Sequence, residues 1–396
     1  LLLTSCGSDD GTPGTNPDTS GGPISQSPIE PQPSFGANGT HWPSKVSTPF
    51  LYDTEVSHIV TVGTDWQEVA SAIQDLTPEM VEEGVLILVE PGTLSGNGVG
   101  GGSKAALEDL GDLTWTKRVT VAPKDGYGTV SIEGGAKFLK LYNIALAGFI
   151  FDSVKLQGCS HSALAWSKVT GWLAFYGLNG VVTQNGELVE VVRPDSKVQN
   201  GDASDVYSAG GVIRDLVIDG CYLAPNFFES PFTGAKPHTD TMQFAEVDGG
   251  GDPFDVCIKN TAMFSSNNTA LQTGAITGLV LEHSYLVSGA ASLARYPHLP
   301  GGATEATTNA INGSGADFSA KNSTIIGGIA LNDNISDKIW SSVENTLVDR
   351  EITSNLLIPA QGSFTFQEGL DESNSNMPPY PTDDFLVSIW GKAQHQ

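Results

Sequence analysis

The stretch Leu216-Val217-Ile218-Asp219-Gly220-Cys221-Tyr222-Leu223 decides the fold, because its pattern returns along the chain. It reads apolar, variable, apolar, variable, turn-forming, small, variable, apolar. The same order recurs without gaps in Val256-Cys257-Ile258-Lys259-Asn260-Thr261-Ala262-Met263, in Leu279-Val280-Leu281-Glu282-His283-Ser284-Tyr285-Leu286, in Phe318-Ser319-Ala320-Lys321-Asn322-Ser323-Thr324-Ile325 and in Ser341-Ser342-Val343-Glu344-Asn345-Thr346-Leu347-Val348. A shorter match is Phe149-Ile150-Phe151-Asp152-Ser153-Val154. Apolar residues at alternate positions describe a strand with one buried face. The Gly, Asn or His that follows tolerates the left-handed backbone of a tight turn. The starts Leu216, Val256, Leu279, Phe318 and Ser341 are 40, 23, 39 and 23 residues apart. The shorter interval fits one coil of a parallel β-solenoid, and the longer ones fit coils that carry a loop insertion. Runs this short, β-branched and bounded by glycine exclude a helical repeat.

A second register runs just ahead of these strands. Met242-Gln243, Leu271-Gln272 and Ala310-Ile311-Asn312 align with offsets of 29 and 40 residues. With Met242, Leu271 and Ile311 turned inward, alternation turns Gln243, Gln272 and Asn312 outward as a stacked amide row. Such a row suits a chain-like ligand, so these three, with Tyr296 from a nearby insertion, are the expected substrate-binding residues.

Towards the N-terminus, Ile59-Val60-Thr61-Val62 reads as a strand and Asp65 to Ile73 as a helix with an acidic start. Val85-Leu86-Ile87-Leu88-Val89 then gives a buried strand, ended by the turn Glu90-Pro91-Gly92-Thr93-Leu94. A short helix followed by this strand and turn resembles the N-terminal cap of pectate-lyase-like right-handed parallel β-helix proteins. The resemblance implies an all-β chain, a right-handed parallel β-helix (solenoid) with a short N-terminal helical cap, spanning residues 51–360. The tail, 361–396, is expected to cover the open end of the last coil, with Phe385, Leu386, Ile389 and Trp390 as its docking residues.

Residues 7–50 are rich in Gly, Pro, Ser, Thr and Asn, a composition that cannot offset its ordering entropy, and are expected to form a disordered spacer. Ahead of them, Leu1-Leu2-Leu3-Thr4-Ser5-Cys6-Gly7 resembles the end of a secretory apolar segment and a bacterial lipobox. That resemblance implies lipidation of Cys6 and a bacterial outer-membrane or cell-surface lipoprotein, or otherwise a secreted or periplasmic one. A monomer is expected.

Lysine and arginine number 19 against 45 for aspartate and glutamate, a net charge of -26. Such a chain is excluded as a nucleic-acid binder on electrostatic grounds, and membrane contact is expected only through the lipid. Beyond Cys6 there are three cysteines, Cys159, Cys221 and Cys257, each in an apolar run and read as a small core residue. No CxxC pair or His/Cys cluster has zinc spacing, so no structural metal is expected. Gly98-Val99-Gly100-Gly101-Gly102-Ser103-Lys104 lacks the order of a phosphate loop, and Gly313-Ser314-Gly315 that of a nucleophile elbow.

Candidate chemistry gathers in the longest insertions, expected at Gln184 to Gly210, Pro225 to Pro237, Asp248 to Pro253 and Ala290 to Thr308. His238-Thr239-Asp240-Thr241-Met242-Gln243 resembles an HxDxxQ stretch of secreted β-helix polysaccharide lyases and hydrolases. The resemblance implies work on an extracellular polysaccharide. For a lyase acting on a uronate polymer, Lys236 or Arg295 would neutralise the sugar carboxylate and His238 would remove the adjacent proton, with Asp240 orienting it. An acidic chain repels a polyanion unless its groove is locally basic. A hydrolase needs two carboxylates, with Asp240 and one of Asp248, Asp252 or Asp255 as candidates. The sequence departs from polygalacturonase-type hydrolases, with His238-Thr239-Asp240-Thr241 in place of Asn-Thr-Asp-Gly. A non-catalytic glycan-binding or adhesion protein is the third reading, with Trp166, Trp172, Phe175 and Tyr176 as a stacking cluster or as core. No cofactor is required; the carboxylate-rich loops admit calcium, although no ligand pattern demands it.

Overall fold

The computed structural model describes residues 35–36, 39–43, 45–51, 56–198, 204–228, 239–247, 249, 251, 253–265, 268–297, 309–332 and 338–391. The chain is a right-handed parallel β-helix whose coils stack strand on strand. Val217 pairs with Cys257, Cys257 with Val280, Val280 with Ser319 and Ser319 with Ser342, the register that the repeat predicts. One match was out of phase. Ile150 and Phe151 pair with Lys168 and Val169, one strand further along the coil, because Ala145-Leu146-Ala147 already fills the first-strand position opposite Ala163.

Each coil contributes strands to three parallel faces. The first holds Val85–Val89, Val119–Pro123, Ile144–Ala147 and the repeats after them. The second includes Val130–Glu133, Ile150–Phe151, Tyr222–Leu223, Ala262–Phe264, Tyr285–Val287 and Thr324–Ile326. The third includes Ala136–Tyr142, Val154–Gln157, Leu173–Tyr176, Ser204–Ala209, Met242–Val247 and the starts of Leu271–Glu282 and Asn309–Ala316. Inward side chains such as Phe138, Leu156, Leu188, Ile218, Ile258 and Leu281 fill one continuous core.

The corner between the first and second faces is a single residue in the left-handed region. Gly220, Asn260, His283, Asn322 and Asn345 occupy it at φ between 45° and 64°. The small residue that follows points inward, and its oxygen or sulfur accepts an N–H from the neighbouring coil. Cys221 N donates to Thr261 Oγ1 at 3.1 Å, Thr261 N to Ser284 Oγ at 3.3 Å and Ser284 N to Ser323 Oγ at 3.1 Å. Val191 N donates to Cys221 Sγ at 3.4 Å, so a thiol substitutes for the hydroxyl. This ladder satisfies buried backbone donors at a corner where strand pairing cannot. Cys159 and Cys221 are free and buried, as their apolar settings imply.

At the N-terminal end, helix Trp66–Gln74 is capped by Asp65, which accepts from Gln67 N, and buries Trp66, Val69 and Ile73. A second short helix, Pro78–Glu83, starts on Thr77.

Two boundaries differ from expectation. The spacer was expected to run to residue 50, yet residues 39–43 and 45–51 lie along the first face. Arg118, wholly buried, bonds Glu187 and donates to Thr48 Oγ1 at 3.2 Å, while Lys45 N donates to Glu187 Oε1 at 3.1 Å. Glu190 accepts from both His41 N and His41 Nδ1 at 2.9 Å. A Gly/Pro-rich segment is ordered because buried polar groups of the coils need its backbone. Residues 7–34 lie outside the described residues.

The tail also does not close the last coil. It runs back along the second face: Arg295 holds Glu372 at 2.8 Å, Tyr380 meets Tyr222 and Tyr296, and Lys168 holds Asp383 at 2.5 Å. Helix Asp383–Trp390 then buries Leu386, Ile389 and Trp390, whose indole Nε1 donates to Glu190 Oε2 at 2.7 Å. The expected docking residues are correct, and the destination is the flank because apolar Val192, Tyr222, Ala262 and Ile326 face outward there.

The ladder yields a sharp test. Ser284→Cys keeps an acceptor for Thr261 N, whereas Ser284→Val leaves it unmet and is expected to cost about 1–3 kcal/mol in urea unfolding.

Candidate active site

Two of the three faces are covered by the chain's own ends. The third presents a polar column to the outside. Lys137 pairs with Lys155, Lys155 with Ala174, Ala174 with Asp205, Asp205 with Gln243, Gln243 with Gln272 and Gln272 with Asn312. Met242, Leu271 and Ile311 are buried and the three amides are half-buried, so the predicted inward and outward alternation holds.

Sequence reading overlooked the first two members of this column. Lys137 and Lys155 are each only 6% exposed. Lys137 Nζ donates to Gly101 O at 3.4 Å, which gives the Gly98–Lys104 stretch a covering role here. Lys155 Nζ lies 4.0 Å from the centroid of the Tyr176 ring, and Tyr176 meets Trp172 edge-on at 5.6 Å. The expected aromatic cluster therefore splits. Trp166 and Phe175 are buried, while Trp172 and Tyr176 stand half-buried beside the lysines. The signal that would have found the lysines is periodic: Ala136-Lys137-Phe138 and Val154-Lys155-Leu156 place a cation between two inward apolar residues on consecutive coils.

The other expected site residues are distributed differently. His238 and Lys236, with Asp248, Asp252 and Cys6, lie outside the described residues. Asp240 is fully buried at the head of its strand and accepts from Thr269 N at 3.2 Å. Arg295 is occupied in tail docking, donating to Tyr222 OH at 3.0 Å and to Pro378 O, with Phe264 under its guanidinium at 5.0 Å. Tyr296 is 6% exposed and donates to Tyr222 OH at 2.8 Å, and burial holds its phenol above the ordinary value. Both belong to the second face, so neither lines the amide row. The sequence could not separate them because their insertion precedes a groove strand but packs on the flank.

The insertion expected at Gln184 to Gly210 contains strand Glu187–Arg193, all seven residues of it buried. Arg193 ends it with Nε donating to Gly171 O at 2.9 Å and Nη2 to Ser196 Oγ at 2.6 Å; burial lowers its pKa to about 10. It anchors the side pairing of Ser196–Val198 with Asn226–Phe228, which opens the insertions leading to the groove strands. Among the described residues, no cluster of three or more metal-ligating side chains is present.

This architecture is that of a pectate-lyase-like parallel β-helix. No family model matches the chain, and no curated protein matches its sequence. Among solved structures it is similar to the A-module of the mannuronan C-5 epimerase AlgE6 of Azotobacter vinelandii, at 9% identity and a TM-score of 0.35 over 77% of this chain and 92% of that one. It is also similar to the catalytic domain of a GH87 α-1,3-glucanase, at 12% identity and 0.32 over 80% and 62%. A mannuronic acid specific family 6 polysaccharide lyase from human gut microbiota gives 11% and 0.27 over 78% and 83%.

Asp255 lies at the corner between the third and first faces, at φ 54°, so it and buried Asp240 do not flank a bond as a hydrolytic pair would. Burial, then the nearby Asp215 and Asp317 carboxylates, raises its pKa. The fold thus disfavours its ionised form. The penalty is complete above the raised folded value, fades as pH falls through it, and is absent below the unfolded value. Asp255→Asn is expected to gain about 0.5 kcal/mol at pH 7 after solvent screening, measured by thermal unfolding, with the gain gone below about pH 4.

Proposed function

We propose that the third face is the groove of a carbohydrate-active protein, and that it cleaves an acidic extracellular polysaccharide by β-elimination. The observation that carries this reading is the pair of lysines stacked in register beside Tyr176, at the head of the amide row. Two cations stacked on adjacent parallel strands offer a polyanion neighbouring points of contact. They also supply the local basicity that a chain of net charge -26 needs in order to hold a polyanion.

In this reading Lys137 and Lys155 hold the uronate carboxylate, drawing charge from the carbon beside it as its proton leaves. Tyr176 is the phenol placed to carry protons at the reacting sugar, and the departing glycosidic oxygen takes one as the C–O bond breaks and the ring double bond forms. Gln243, Gln272 and Asn312 bond hydroxyls of the sugars further along. An outward row of hydrogen-bonding amides fits a polymer lying along the coil axis.

Incubation with a panel of uronate and neutral polysaccharides tests this, following ultraviolet absorbance of unsaturated products together with reducing ends. Tyr176→Phe is expected to lower kcat about 10²–10⁴-fold with retained affinity, while Lys155→Ala and Lys137→Ala weaken both binding and turnover. Retention on affinity gels with no product from any polymer would replace the lyase with a glycan-binding protein. Reducing ends without absorbance would replace it with a hydrolase.

A lipid on Cys6 and a place at the bacterial cell surface are part of the same proposal, supported by the sequence Leu1-Leu2-Leu3-Thr4-Ser5-Cys6. Labelling with a fatty-acid analogue in a bacterial host is expected to mark the full-length precursor product and to vanish in Cys6→Ala.

A further inference from the structure

The lysine at the head of the column is both buried and poorly partnered. Lys137 is 6% exposed, and among the described residues its ammonium meets no carboxylate. Its hydrogen bond there goes to Gly101 O at 3.4 Å, long for an N–H donor. A buried charge without a counter-ion is costly, and the fold keeps one on the face where the groove is proposed. In this closed form the same cation is out of reach of a polymer.

What covers it is the loop between strand Gly92–Ser95 of the second face and strand Leu107–Gly111 of the third. The two ends of this loop are pinned to the next coil. Gly96 N donates to Glu133 O at 2.7 Å and Gly98 N to Gly135 O at 3.0 Å, while Ala106 N donates to Lys137 O at 2.8 Å. Between these pins, among the described residues, the backbone bonds only within its own turn, Ser103 N to Gly100 O at 3.0 Å. Gly101 and Gly102 form its tip, both exposed. Neither has a left-handed backbone, and a Cβ on either would meet nothing within 4 Å. The closed form therefore does not call for glycine at either position. Two glycines that the closed form does not need serve the other conformations of the loop, which they make accessible.

We propose that residues 98–104 are a lid, which swings away from Lys137 so that a uronate carboxylate of the polymer takes the place of Gly101 O. The ligand in this proposal rests on the groove reading above, whereas the motion of the lid is a property of the chain alone. Exchanging a neutral carbonyl for a carboxylate gives the buried ammonium its counter-ion, so the ligand and the open lid favour each other. The pins at 96, 98 and 106 hold the strands on either side in place while the tip moves.

Timed acetylation of the full chain, read by mass spectrometry, tests the proposal, with exposed Lys104 as the unhindered reference. Lys137 is expected to react more slowly than Lys104, yet while the wholly buried Cys159 thiol stays closed to a thiol reagent. The double substitution Gly101→Ala and Gly102→Ala fits the closed loop and narrows the open ensemble. It should slow Lys137 by about 4- to 30-fold, with Lys104 unchanged and no fall in the unfolding midpoint. On a uronate polymer that the wild type cleaves, kcat/KM should fall by the same factor. Lys137 that reacts as fast as Lys104, reacts only together with Cys159, or ignores the two alanines overturns the lid. An unchanged kcat/KM in a variant whose Lys137 is slowed overturns the exchange of Gly101 O for a carboxylate. If no polymer is cleaved, the proposed activity fails, and the labelling still decides the lid.

Discussion

In-register parallel stacking is the constraint on which the rest of this structure depends. Each position in a coil sits on its counterpart in the coils above and below, at about 4.8 Å. Every position is therefore a column, and a residue is acceptable only if it tolerates its column neighbours. Apolar columns build the core, as Leu188, Ile218, Ile258 and Leu281 do. A charged column is most stable when its signs alternate. On the outward side of the first face the order is Asp219, Lys259, Glu282, Lys321, Glu344, with Lys259 at 3.3 Å from Asp219 and Lys321 at 3.8 Å from Glu344.

Against that rule, the exceptions are informative. Lys137 over Lys155 is a like-charge pair, as is Asp215 over Asp255 at the corner ahead of the first face, and the lysines lie on the face that the described terminal segments, 39–43, 45–51 and 367–391, leave uncovered. A second exception is in the left-handed corner, where Gly, Asn or His is the rule but Trp166 and Glu190 stand at φ 45° and 49°. That backbone costs a side-chain-bearing residue of order 1–3 kcal/mol and persists only when its surroundings compensate. Here the compensation is visible: Trp166 Nε1 donates to His41 O at 2.7 Å, and Glu190 takes donors from His41 and Trp390. The two strained corners are thus the clasp that ties both ends of the chain to the coils.

Much of the fold was legible because columns write themselves into sequence as repeats. The strand alternation, the turn residues, the coil intervals and the outward amides of Gln243, Gln272 and Asn312 follow from periods of two and of one coil. The clasp was not legible, since Glu187, Glu190 and Arg118 are polar residues in apolar strands whose partners lie 142, 149 and 70 residues away in Lys45, His41 and Thr48. Nor were the lysines, because a cation alternating with buried apolar residues looks like an ordinary exposed strand position. Only the register, which puts Lys137 directly on Lys155, distinguishes it. Arg295 and Tyr296 show the opposite failure: attractive residue types in an insertion proved to be tail-docking groups, because sequence order fixes the coil but not the side on which an insertion packs.

The same column logic explains where variation can enter. At the corner ahead of the first face, Asn143, His161, Asn185, Asp215, Asp255 and Asp317 each take a left-handed backbone, and the corner after it is held by the hydroxyl ladder. Insertion of residues at either of those left-handed positions would break a column. The remaining corner, between the second and third faces, has no such column, and the chain there passes 18 residues from Leu223 to Met242 but only one from Ile326 to Gly328. Length differs also ahead of the left-handed corner between the third and first faces, with five residues between Gln157 and Ala163 but ten between Tyr176 and Glu187, so insertions are delivered to both edges of the third face. Those edges border the lysine and amide column, which strand pairing holds in register. A ruler of stacked side chains between two permissive edges is what a solenoid offers a long polymer, and it follows from the stacking rule before any reaction is assigned.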